Sequence, residues 1–213
     1  MTKSLYWKLA LLLLPIVVGF NTVRADEEAK NELISRFEHI ETLRANFIQR
    51  VLDETGEELQ VLGGEMLVHS PSHFRWEIET PYSLTYVLNR LDLMVVDPDL
   101  HQVTYRTIDS PDEVPIVALL VHRDMDVLNE FTISATKNAF ILEPLDQMQL
   151  FKLITVYFDN MRLDAIDVRD SQDRLTEFTF RDLEENVVLD DSLFEVTIAE
   201  DMEIIGEPPS AVP

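Results

Sequence analysis

The chain has 213 residues, no cysteine and a formal net charge of −23. The missing cysteine excludes disulfides, thiolate catalysis, cysteine-ligated metals and an acylated lipoprotein-type cysteine. The negative charge makes nucleic acid and anionic membrane surfaces poor partners, because their fields repel the domain; solubility, adaptation to a salty medium, or docking to a basic partner each fit it.

The N-terminus has the three-part pattern of a secretory signal. Lys3 and Lys8 form a positive start, residues 9–20 are apolar, and Val23-Arg24-Ala25 precedes the acidic Asp26-Glu27-Glu28. The apolar run falls short of the roughly 20 residues of a spanning helix, and Pro15 and Gly19 interrupt it. A cleaved signal peptide over 1–25 is expected, rather than a retained anchor. One domain over 26–213 then remains, soluble and unacylated, and it carries −26 because the signal holds Lys3, Lys8, Arg24 and no acid. A chain of that length can bury a core of its own.

Leu33, Phe37, Ile40 and Phe47 recur near helical spacing and predict a helix over 27–50. Asp53-Glu54-Thr55-Gly56 is a turn. The period then changes to two: Phe74, Trp76 and Ile78 alternate with Arg75, Glu77 and Glu79, and Tyr82, Leu84, Tyr86 and Leu88 continue the alternation, as do Val103 and Tyr105. Short Pro-, Asn- and Asp-containing turns separate these runs, which predicts an antiparallel meander, since parallel neighbours need long crossovers. Ser110-Pro111-Asp112-Glu113 resembles a helix start, and the apolar stretch that follows, 115–122, predicts a short inserted helix. Strands resume over 131–135, 139–142, 151–158, 162–169 and 175–181, with a last one near 194–198. The proline-rich end, 207–213, is expected to fray. The fold class is therefore α+β, with the long helix laid against a sheet that twist makes curl, leaving an apolar concavity.

Catalytic patterns are missing. The chain has no nucleophile elbow, zinc-protease helix motif, phosphate loop or dinucleotide fingerprint. His69 and His73 are four apart, but Pro71 places them around a turn, which removes the helical geometry a metal would use. Asp97-Pro98-Asp99 reads as turn chemistry rather than a carboxylate couple. The residues alone lead to an exported α+β binding domain that is not an enzyme.

Three segments go further. Residues 40–49, ending in Ala45-Asn46-Phe47-Ile48-Gln49, resemble the "l-a-x-F-x-Q" motif of the outer-membrane lipoprotein carrier (LolA) family. Residues 64–77, including Pro71, Phe74, Arg75 and Trp76, resemble its "G-x-l-x-v-x-R-P-x-x-F-R-W". Residues 95–104, with Asp97-Pro98 and Gln102-Val103, resemble its "Y-D-P-x-L-x-Q-V". A weaker likeness covers 173–180. The resemblance implies a curved, unclosed antiparallel half-barrel, with the N-terminal helix and the inserted helix forming a lid over an apolar cavity. It implies a monomeric periplasmic chaperone, without cofactor or metal, that takes acylated lipoproteins from an inner-membrane ABC transporter to an outer-membrane receptor. A lipid- or lipoprotein-sensing module on a related half-barrel is the alternative. Carried onto this chain, the lipid-binding residues are Phe37, Phe47, Leu67, Phe74, Trp76, Met94, Ile116, Leu119 and Leu120. The family's lid-latching arginine corresponds to Ser70, so Ser70 and Arg75 become the candidate latch. Arg90, Met94 and Val96 replace the family's glycine, tryptophan and tyrosine around the third motif.

Overall fold

The structure is a computed structural model and describes residues 20–108, 120–121, 125–146 and 150–208. Among them a helix, α1 (Phe20–Phe37), precedes the strands β1 (Thr42–Leu52), β2 (Glu58–His69), β3 (His73–Thr80), β4 (Leu84–Asn89), β5 (Asp92–Asp97) and β6 (Gln102–Thr107). A second series follows: β7 (Phe131–Ala135), β8 (Ala139–Pro144), β9 (Phe151–Asp159), β10 (Arg162–Asp170), β11 (Leu175–Glu185) and the short β12 (Glu203–Ile205). They form a single sheet in the order β12-β6-β5-β4-β3-β2-β1-β11-β10-β9-β8-β7. Two meanders are thus joined where β1 pairs with β11, and the outermost strands, β12 and β7, are not neighbours, so the sheet is unclosed. The sheet is antiparallel except for β12, which runs parallel to β6.

Two expectations need correction. The helix predicted over 27–50 ends at Phe37, and Thr42–Leu52 is a strand. Within it Leu43, Ala45 and Phe47 are buried while Arg44 and Asn46 are exposed, a period of two. Ten residues on from Phe37, Phe47 would lie roughly 80° off the helical face, so one stripe cannot hold both. The strand expected near 194–198 does not form: a 3-10 turn, Asp191–Phe194, is followed by irregular chain, and the last strand is β12. The inserted helix expected over 115–122 lies outside the described residues except at its end, Leu120 and Val121.

Ala29, Leu33 and Phe37, four apart, form the buried stripe of α1 and face the sheet at β7 and β9. Phe37 meets Phe158 at 5.6 Å between ring centroids, and Arg36, paired with Glu32 at 2.7 Å, lays its guanidinium over the Phe158 and Phe140 rings. Asp26, the first residue after the expected cleavage point, accepts a hydrogen bond from the backbone N–H of Ile133 on β7. The face of the sheet against α1 is called inner below.

Near the middle of the sheet, Phe47 of β1 and Trp76 of β3 stack at 3.7 Å although β2 runs between them. The partner of Phe47 on β2 is Gly64, at a register irregularity where β3 comes very close. A Cβ at Gly64 would lie 1.8 Å from the Glu77 carbonyl oxygen.

On the outer face, the chain after β11 crosses back over β2 and β3. Arg75 donates from Nη1 to the carbonyl oxygens of Leu193 at 3.0 Å and Glu195 at 3.4 Å, and from Nη2 to Glu77 at 2.7 Å. Phe194 is buried beside the His69 and His73 rings, 6.3 and 5.4 Å away. Burial, then the neighbouring His69 and Arg90, hold the His73 imidazole below the usual histidine range, while Asp191 opposes them.

Two outcomes follow from this packing. Gly64→Ala must displace β3, and a loss of about 2–3 kcal/mol is expected from overpacking, read as a lower urea midpoint. Because His73 binds protons less readily when folded, its contribution is full above the ordinary histidine pKa of 6.5 and is lost as pH falls from there through the lower folded value. His73→Gln should therefore flatten the stability profile between pH 7.5 and 5.5, measured by urea denaturation across that range.

Candidate functional site

The inner face beyond α1 holds an open cavity of about 480 Å³. β3 supplies Phe74, Trp76 and Ile78 to it, β4 Tyr86 and Leu88, β5 Leu93, and β11 Phe178. Alternation aims these side chains the same way: Phe74 pairs with Leu88 and Leu88 with Leu93, while Trp76 pairs with Tyr86. Trp76 is fixed from three sides, stacked on Phe47, offset at 6.1 Å from Phe74, and meeting Phe178 edge-on at 5.6 Å. Burial, then the nearby Tyr82 and Asp97, push the Tyr86 phenol above its usual pKa. The walls are thus mostly aromatic and aliphatic, with Gln49, Gln60, Tyr82 and Arg106 as the polar members. Gln60 donates to the Tyr82 hydroxyl at 3.1 Å.

A second hollow, about 560 Å³, lies on the outer face between His73, Arg90, Met94, Tyr105 and Phe194. It is the larger, but Ser72, Asn89, Asp92 and Thr107 also line it, and such walls do not suit an apolar ligand. Among the described residues no group of three or more His, Asp or Glu is arranged to hold a metal ion, and no helix is long and apolar enough to cross a membrane.

The sequence-derived site residues separate into groups. Phe74 and Trp76 line the cavity. Phe47 supports it from β1, not from a lid helix, and Phe37 packs over β9 beside it. Leu67 and Met94 point to the outer face: Leu67 pairs with Arg75, Arg75 with Val87, and Val87 with Met94, one continuous row opposite to Phe74. Leu120 is half-buried against the core, whereas Ile116 and Leu119 lie outside the described residues. Ser70 donates from Oγ to the Val121 carbonyl oxygen at 3.0 Å, which ties the end of the inserted segment to the β2–β3 turn. Arg75, the other latch candidate, is on the outer face and holds the C-terminal segment instead.

Sequence reading missed Gln49, Leu62, Ile78, Tyr86, Leu88, Leu93, Ile108 and Phe178 as cavity walls. A period of two from Phe74 already includes Ile78, and the noted alternation of Tyr82 to Leu88 contains two more. Leu93 and Phe178 needed the register between strands.

The match to known proteins follows this geometry. Residues 38–197 match the family model described as "Outer membrane lipoprotein carrier protein LolA". The chain is similar to the outer-membrane lipoprotein carrier protein of Chromohalobacter salexigens, 31% identical with 96% of this chain and 99% of that one covered. It is also similar to that of Azotobacter vinelandii, 30% identical over 92% and 97%. An uncharacterized conserved protein from Thermus thermophilus shares the fold at a TM-score of 0.54 and 11% identity, covering 82% of this chain and 97% of its own. With the family model spanning most of the sheet that builds the cavity, the chain belongs to the LolA family of outer membrane lipoprotein carrier proteins.

Proposed function

We propose that this protein is a periplasmic carrier that shields the acyl chains of lipoproteins released from the inner membrane by an ABC transporter and delivers them to an outer-membrane receptor. The observation that carries the reading is the open, aromatic-walled cavity on the inner face, built by Phe74, Trp76, Leu88, Leu93 and Phe178. The name carried by its relatives supports the same cargo. Export through a signal peptide cleaved after Ala25 would leave Asp26 and the rest of α1 to cover the β7 to β9 region of the sheet.

The size of the cavity bears on how it works. At about 30 Å³ per methylene-sized group, the volume share of a water molecule, it takes roughly sixteen such groups, near one long acyl chain. Each buried methylene contributes about 0.8 kcal/mol. A tightly enclosed multi-chain anchor would exceed the practical ceiling of non-covalent affinity and would not be released. A carrier of this kind shelters the chains loosely, and the energy for loading comes from the partner that extracts the cargo.

Two variants test the reading. Phe74→Glu places an unpaired charge in the cavity wall; transfer of an acylated lipoprotein from inner-membrane vesicles to the carrier should fall at least about tenfold while the circular dichroism spectrum is kept. Normal transfer would remove Phe74 from the functional face. Ser70→Ala deletes the bond to Val121, and amide exchange at Val121 should quicken about fivefold, the effect of one hydrogen bond. Unchanged exchange would show that this bond does not hold the inserted segment.

A further inference from the structure

Gln49 belongs to the "F-x-Q" segment but has no part in covering the core. It stands on the inner face of β1, opposite Phe178 on one side and Leu62 on the other, and lines the cavity. Its side-chain amide has no hydrogen-bond partner among the described residues. An amide carries two donors and an acceptor, and here they face a space bounded by Trp76 and Phe178. In a plain hydrocarbon container that position would favour leucine or methionine.

Its place along the strands is informative. Gln49 pairs with Leu62, next to Gly63, which pairs with Thr80. Gln60 and Tyr82, bonded to each other, belong to this same end of the cavity. Phe74 and Leu88 mark the other end, and Thr80 and Phe74 are separated by six positions of β3, about 20 Å. The Ser70–Val121 contact also belongs to the Phe74 end. The cavity therefore has one end that carries Gln49, Gln60 and Tyr82 and another formed by the row Phe74, Leu88 and Leu93 with Arg106 beside them, separated by a distance comparable to an extended long acyl chain.

We propose that Gln49 is a positioning residue that donates from Nε2 to a carbonyl oxygen of the ester or amide linkage joining acyl chains to the lipoprotein N-terminus. This rests on the carrier reading and adds to it the place on the inner face, Gln49 of β1, where a linkage carbonyl is held. An ester carbonyl drawn into an apolar cavity loses its water and needs a donor. Gln49 supplies one without adding charge, so the contact discriminates acylated cargo from bare hydrocarbon while holding it weakly enough for release.

The test compares two probes on the exported protein: a dipalmitoyl-glyceryl-cysteine tetrapeptide, which has the linkage carbonyls, and hexadecane, which has none. Each displaces a fluorescent fatty probe from the cavity. Gln49→Met keeps the volume and removes the amide. It should weaken lipopeptide binding about five- to tenfold, the share of one hydrogen bond, and leave hexadecane binding unchanged. Equal losses for both probes, or no loss for the lipopeptide, overturn the assignment of Gln49. Wild-type protein that binds neither probe overturns the carrier reading itself, an outcome separate from either result with the variant.

Discussion

At about 1.5 Å per residue, the twelve residues of α1 from Asp26 to Phe37 span about 18 Å, while twelve strands at about 4.8 Å spacing extend over about 50 Å, so the helix cannot cover the sheet. Both faces of the sheet carry apolar side chains, and α1 fills only the region of β7 to β9 with Leu33 and Phe37. The inner face of β3 to β5 is left with its aromatic and aliphatic side chains directed into open space. The cavity is thus a consequence of the mismatch between covering and covered area, and an apolar occupant relieves it by the same hydrophobic effect that builds the core.

What keeps this uncovered region from collapsing is the rigidity of its floor. Trp76 is stacked on Phe47 and flanked by Phe74 and Phe178, so four rings from three strands hold one another in offset and edge-on arrangements. The arrangement needs Gly64, because a side chain there would drive β3 away. The outer face is closed by the chain's own C-terminal segment, with Arg75 gripping two carbonyl groups and Phe194 packed beside His69 and His73. One face is therefore sealed, and adaptation to a ligand is confined to the inner side.

Surface charge plays little part in holding the molecule together. Arg44–Glu65, Arg50–Glu58 and Lys152–Asp173 are exposed pairs at 2.6–2.9 Å, and such pairs contribute at most about 1 kcal/mol each. The larger effect of 40 acids against 17 basic residues is long-range: it repels anionic surfaces and favours encounter with a basic partner.

The sequence by itself determined the periods, and with them most of the strands, the export signal as an expectation, and the likeness to a lipoprotein carrier, because alternation and turn residues are local properties. The family resemblance singled out Phe74 and Trp76, and the period of two placed them on one face of one strand, since alternate positions share a face whatever the strand's neighbours. Sequence reading misjudged Phe47, because an apolar residue every three to seven positions fits a helix until the exposed Arg44 and Asn46 are known. Only the tertiary structure decided that Leu67, Arg75 and Met94 belong to the outer face, since the side a residue takes depends on its register with strands far along the chain. For the same reason Phe178 and Gln49, 129 positions apart, became neighbours on one wall of the cavity. Their pairing across β1 and β11 is a long-range contact that no local pattern specifies.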